Sequence, residues 1–359
     1  MPAIVRSEND LPTLRVKLHG KETKPGTEPV AKFQVLRGRG PVTWTENVPT
    51  RLLGLADWIQ SARDVHESEF TIPDSVAAQA CDALARLSGS GDAAYWLELP
   101  PPRGYLPFLP WERLLSGLLD RPLLRLPNFT LRPNMSGPTL RVVLTVAQSK
   151  WPFDVPATTA GLARLWREST GREVDLDVFV APEEREAVRD LIGARDHITV
   201  HDTPRVDDLL PGVSNNGWVA WVRTALAGRA ADVVHIVSHG TLIGDRGALA
   251  LPALPMPGAD SPMIGTLGSV DVCTSLSRAG AWGLVVTAPV HSHCPGALRD
   301  LVDAVAHARP GVVALQELEV SDADDQMRAL LRMLIDGEPP NRSLPGILCC
   351  SHPAFVAVA

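Results

Sequence analysis

The chain reads as an α/β protein with a mostly parallel sheet, helices on both faces and a β-rich N-terminal region. Three observations predict it. From residue 140 onward, short apolar runs alternate with amphipathic segments, and strands alternating with helices imply a parallel sheet covered on both sides. The run Val233–Val237 is hydrophobic almost without interruption, as a central parallel strand must be. Residues 11–50 instead break into short period-two runs separated by Gly, Pro and charged turns.

Taken in order, Leu14–Leu18 and part of Phe33–Leu36 alternate with period two, and the charged stretch Lys21–Pro29 is an exposed turn. Ser75–Leu87 is a helix with Val76, Ala80, Ala83 and Leu84 on one face, stopped by Ser88-Gly89-Ser90-Gly91. Ala93–Leu99 is a strand. Pro110 suits the first turn of a helix opening at Trp111. Pro122–Leu131 is extended, and Arg132–Pro138 is the best linker, dividing the chain into regions 1–135 and 136–359. Strands then fall at 140–147, 174–180, 197–200, 233–237, 284–287, 311–315 and 346–350. Helices fall at 158–168, 182–192, 218–227, 270–276, 297–308 and 323–335.

Composition narrows the function. With 359 residues, about two domains of ordinary size are expected. A net charge of −7 supplies no global basic field, so no nucleic-acid partner is expected. No apolar run reaches membrane-spanning length, and the first residues carry no charged segment followed by an apolar core; neither membrane association nor a signal peptide is expected. Five cysteines, an odd number without paired spacing, argue against a disulfide framework and for a reducing cytoplasm. Phosphate-binding glycine loops and the G-x-S-x-G esterase pattern are absent, and no cofactor is expected.

Chemistry concentrates where strands end. Val233–Val237 runs into Ser238-His239-Gly240, and Leu284–Thr287 runs into a loop rich in His and Cys. In open α/β sheets, sites form beyond the carboxyl ends of strands. A His-Gly pair just past a strand places an imidazole on a tight turn beside a backbone N–H. That pair suits cysteine-dependent acyl transfer, with His239 as base and Gly240 helping to hold an oxyanion.

This ordered set resembles the CHAT family of caspase-like proteins. The resemblance rests on the strand-Ser-His-Gly at 233–240, the strand ending in Thr287-Ala288 and the strand Gly311–Leu315. It extends to the following helix around Met327, Leu330 and Leu331, and to the upstream Leu109-Pro110-Trp111-Glu112, similar to a Pro-Trp-Glu element of that family. The likeness covers roughly residues 92–359. It implies a caspase-like fold in which a His and a Cys form a dyad at the ends of adjacent strands, with His239 as the histidine. It also implies a protein substrate or partner in a bacterial defence or regulated-proteolysis system.

Pro289 stands where the resemblance places the nucleophile. Proline has neither a thiol nor an N–H for an oxyanion. Three readings follow. Cys294, within His291-Ser292-His293-Cys294, is a displaced nucleophile folded back to His239. Alternatively the site is inactive and the protein is a scaffold or regulatory module. A third possibility is a metal-dependent hydrolase using His291, His293 and Cys294 with His235 and His239 nearby. Elsewhere, Cys273, Cys349 and Cys350 read as core, His235 as a core residue of a buried strand, Asp245-Arg246-Gly247 as a loop or hairpin, and Asp322, Asp324 and Asp325 as helix capping and solvation.

Overall fold

The computed structural model describes residues 11–19, 29–38, 40–55, 69–90, 92–101, 103–127, 138–210, 215–338, 340 and 342–351. The expected turn at 21–28, the linker at 132–137 and the boundary near 135 lie outside these residues.

The N-terminal region contributes β1 (Pro12–His19), β2 (Val30–Arg37), β3 (Val42–Pro49), α1 (Asp74–Leu87), β4 (Tyr95–Glu98), α2 (Trp111–Leu115) and β5 (Leu123–Arg125). Next come β6 (Thr139–Val146), α3 (Val155–Glu168), β7 (Glu173–Val180), α4 (Arg185–Ile192), β8 (Ile198–Val200), α5 (Gly217–Leu226) and β9 (Val233–Val237). A small antiparallel sheet follows, made of the hairpin β10 (Gly240–Ile243) and β11 (Arg246–Leu249) with β12 (Leu267–Gly268). The chain then runs through α6 (Ser269–Ala279), β13 (Gly283–Ala288), α7 (Pro295–Ala308), β14 (Val312–Glu317), α8 (Ala323–Asp336) and β15 (Ile347–Cys350).

Among the described residues, twelve strands form one sheet in the order β3-β2-β1-β4-β5-β15-β14-β13-β9-β6-β7-β8. From β14 to β8 every neighbouring pair is parallel. β15 returns antiparallel to β14, and β5, β4 and β1 run parallel to β15. The N-terminal region thus joins the sheet edge to edge, through Arg125 opposite Cys350, rather than lying on its face.

Side-chain alternation sorts the core into two layers. Leu140, Val142, Leu144 and Val146 of β6 face Leu162 and Trp166 of α3 and Met327 and Leu330 of α8. Val143, Ile236, Leu284 and Val286 face Trp218 and Trp221 of α5, Leu276 of α6 and Leu298, Leu301 and Val305 of α7. Cys349 joins the first layer and Cys350 the second, as opposite-facing neighbours on a strand must. In the N-terminal region, Leu14, Val16, Phe33 and Val35 pack on Val76, Ala80, Ala83 and Leu84 of α1. Burying each large aliphatic side chain is worth about 1.5–3 kcal/mol.

α7 packs against both regions. Its apolar face meets the sheet, while Arg299, Asp300 and Asp303 are also buried. Arg299 bonds Glu317 at the end of β14 and donates Nη1–H to the Phe108 carbonyl at 2.9 Å. Beside it, Glu112 of α2 takes both arms of buried Arg125 on β5, at 2.8 and 3.2 Å. Trp111 is fully buried and donates Nε1–H to the Leu106 carbonyl.

Two sequence expectations change in detail. Asp322 makes no capping bond to α8; its carboxylate accepts from the Gln326 side chain at 2.6 Å and pairs with Arg342 at 3.0 Å. Cys273 is half-buried rather than a core residue, because α6 presents it at the margin of the second layer. Among the described residues no helix is long and apolar enough to cross a membrane.

Candidate functional site

β9 and β13 are parallel neighbours, with Val237 opposite Thr287. Their carboxyl ends therefore emerge side by side. Ser238-His239 continues from one and buried Pro289 from the other. A bond from the Ser238 N–H to the Thr287 carbonyl, 3.2 Å, extends the pairing to the edge.

His239 is 1% exposed. Its Nδ1 accepts the backbone N–H of His293 at 3.3 Å, and its Nε2 lies 3.0 Å from the Trp151 carbonyl, which can only accept. Those partners assign the neutral tautomer with the proton on Nε2. Burial pushes its pKa below the usual imidazole range; the Trp151 carbonyl opposes this and His293 adds to it. Phe153 meets the ring edge-on at 5.7 Å.

A layered lid covers the ring. Trp151 stacks on His293 with centroids 3.8 Å apart and planes 16° from parallel, and the Lys150 ammonium sits 4.4 Å from the Trp151 ring centre. Burial, then Lys150, lowers the His293 pKa. Trp151 and Phe153 come from the β6–α3 loop, which sequence reading passed over. Its local signal is Asp154, whose side chain caps α3 at the Ala157 N–H, 2.9 Å, with Pro156 in the first turn. The contact from Trp151 to His239 spans 88 residues.

Cys294 occupies the N-cap position of α7 and is half-buried. Its backbone is brought onto Gly240: a Cβ at Gly240 would lie 2.0 Å from the Cys294 carbonyl oxygen. Gly240 is needed for that close approach. His291 is not brought in. It takes a left-handed conformation (φ 56°), its N–H bonds Glu319 at 2.9 Å and its ring faces the same carboxylate.

His235 is spent elsewhere. Fully buried, it accepts Trp166 Nε1–H at Nδ1 (2.9 Å) and donates Nε2–H to Thr287 Oγ1 (2.7 Å). Thr287 then donates to Gln316 Oε1 (3.1 Å), and Gln316 donates to the Ala323 carbonyl (3.0 Å). The donors all run one way across β9, β13 and β14, so every group in the chain is satisfied. Burial pushes the His235 pKa down to about 3. With both nitrogens of His235 and of His239 bonded, neither has a lone pair to spare. Among the described residues no group of three or more His, Cys, Asp or Glu side chains is placed to hold a metal ion.

Of Asp245-Arg246-Gly247, Asp245 sits in the β10–β11 turn with Gly244, while Arg246 and Gly247 open β11 opposite Ile243 and Leu242. A Cβ at Gly247 would sit 1.8 Å from the Ala297 carbonyl, and the Gly247 N–H bonds Asp300 at 2.8 Å. The hairpin is thereby pressed along α7 from Cys294 to Asp300. No protein-family model and no curated protein matches this chain.

Proposed function

We propose that this chain is a CHAT-type, caspase-like protein whose peptidase centre no longer performs catalysis, and that it serves as a scaffold or regulatory module binding a protein partner. The observation that carries the reading is the state of His239: a buried, neutral imidazole with both nitrogens held by backbone groups. A general base needs an open lone pair aimed at the proton it removes. Here that lone pair is taken by the His293 N–H. Pro289, at the end of β13, supplies neither thiol nor N–H. The resemblance adds the bacterial defence or regulated-proteolysis context, and the odd, unpaired cysteine set favours a reducing cytoplasm.

A second reading keeps Cys294 as a displaced nucleophile. What favours it is the close contact of Gly240 with the Cys294 backbone, which puts the His239 turn and the thiol-bearing residue side by side. For it to operate, the His293 segment must withdraw and release Nδ1.

Incubation with a diverse peptide library, read by mass spectrometry, tests between them. The inactive reading expects no cleavage above that of Cys294→Ser and His239→Ala. Cleavage by the native chain that both substitutions abolish would overturn it.

A further inference from the structure

Between Pro101 and residues 103–108, the β10–β11 hairpin and α7 lies a cavity of about 440 Å³, within the usual range for small-ligand sites. Asp300 and Asp303 come to it from α7, Arg103 from the loop and Arg246 from the hairpin, while Phe108 and Ala304 give it an apolar side.

The charges in it are unevenly matched. Asp303 is 2% exposed and takes the Arg103 guanidinium at 2.7 Å. Asp300 is 4% exposed, and its Oδ2 accepts the Gly247 N–H. Its Oδ1 has no hydrogen-bond donor among the described residues; the nearest cation is Arg246 Nη1 at 3.8 Å, on a side chain 79% exposed. A buried carboxylate is costly unless paired and hydrogen-bonded. Gly247, wedged against the Ala297 carbonyl, fixes the hairpin to the helix and so fixes the Asp300 wall.

We infer that this cavity is a binding site for an alkyl guanidinium, the head pairing with Asp300 Oδ1 and the stem lying along Phe108 and Ala304. A planar guanidinium is the cation best fitted to carboxylate geometry, and its aliphatic stem suits an apolar wall. Arg246 covers the carboxylate loosely and would swing out as the ligand enters. The inference stands apart from the reading of His239. Asp300 lies six residues beyond Cys294, about 9 Å along α7, and its test reads binding, not cleavage.

Calorimetric titration of the full chain tests it with two probes, agmatine and the acetylated, amidated tripeptide Gly-Arg-Gly. Saturable binding of both points to a small-molecule or side-chain guanidinium alike; binding of the tripeptide alone points to a polypeptide source. Replacing arginine by neutral citrulline should weaken binding at least about tenfold, as should Asp300→Asn, which keeps an acceptor for the Gly247 N–H. Ala304→Leu, which fills the cavity without touching Asp300, should abolish binding and decides the matter if Asp300→Asn fails to fold. Arg246→Gln should tighten binding by removing the competing cation. Equal binding of the citrulline tripeptide, undiminished binding to folded Asp300→Asn or to Ala304→Leu, or no saturable binding of either probe would overturn the inference.

Discussion

Gly240→Ala probes the contact on which the candidate site is built. The added Cβ lies 2.0 Å from the Cys294 carbonyl oxygen, 3.0 Å from its carbon and 3.1 Å from Leu298 Cγ. Ordinary contact begins at 3.4 Å, so β10 and the first turn of α7 must part by about 1.4 Å (3.4 less 2.0). The yielding atoms are backbone, which has no rotamer by which to escape. Overpacking of this kind costs about 1–3 kcal/mol. The same movement takes the His293 N–H, already 3.3 Å from His239 Nδ1, out of hydrogen-bond range. Leaving that buried nitrogen without its donor costs a further 1–3 kcal/mol or so. The total loss is about 2–6 kcal/mol. Urea unfolding followed by tryptophan fluorescence measures it, and Gly161→Ala is the control. That residue lies within α3 with nothing within 4 Å of its added Cβ, so the control should gain about 0.5–1 kcal/mol. A Gly240→Ala protein with the native urea midpoint would refute the reasoning.

Two other perturbations separate features of the core. His235 has its pKa pushed down to about 3 by burial, so the folded state binds its proton far less readily than the unfolded chain. Its contribution is present above about pH 6.5 and is lost as pH falls towards 3, at about 1.4 kcal/mol per pH unit. Unfolding free energies measured across that window should lose this slope component in His235→Gln; an unchanged slope would contradict the assignment. Glu112→Ala strands the buried Arg125 guanidinium and should cost about 3–5 kcal/mol, while Glu112→Met with Arg125→Met should restore most of it. Denaturant midpoints of the single and double variants check this, and a double variant no more stable than the single one would count against it.

How much was legible in the sequence depends on the range of each contact. Val233–Val237 announced itself because a central parallel strand is apolar almost throughout, with His235 its one polar residue. The alternation at Cys349 and Cys350 likewise followed from strand geometry alone. His239, Gly240 and Cys294 could be singled out because strand ends deliver side chains to one edge, and the structure brings all three segments together there. The lid was not legible. Trp151 and Phe153 meet His239 across more than 80 residues of sequence, and no local periodicity carries that information. The small sheet was half legible: the turn at Asp245 was visible, but four-residue strands such as Arg246–Leu249 are too short to declare a period. The edge-to-edge union at Arg125 depends on residues more than 200 positions apart.

The rate of alkylation of Cys294 tests the central claim most directly, measured by peptide mapping between about pH 6 and 9 in the native chain and in His239→Ala, since thiolate is the reactive form. With the imidazole sealed and its lone pair already engaged, the two proteins should give the same rate profile. A native thiol that reacts about tenfold faster than the variant's near neutral pH would show that His239 activates it, and would contradict the account.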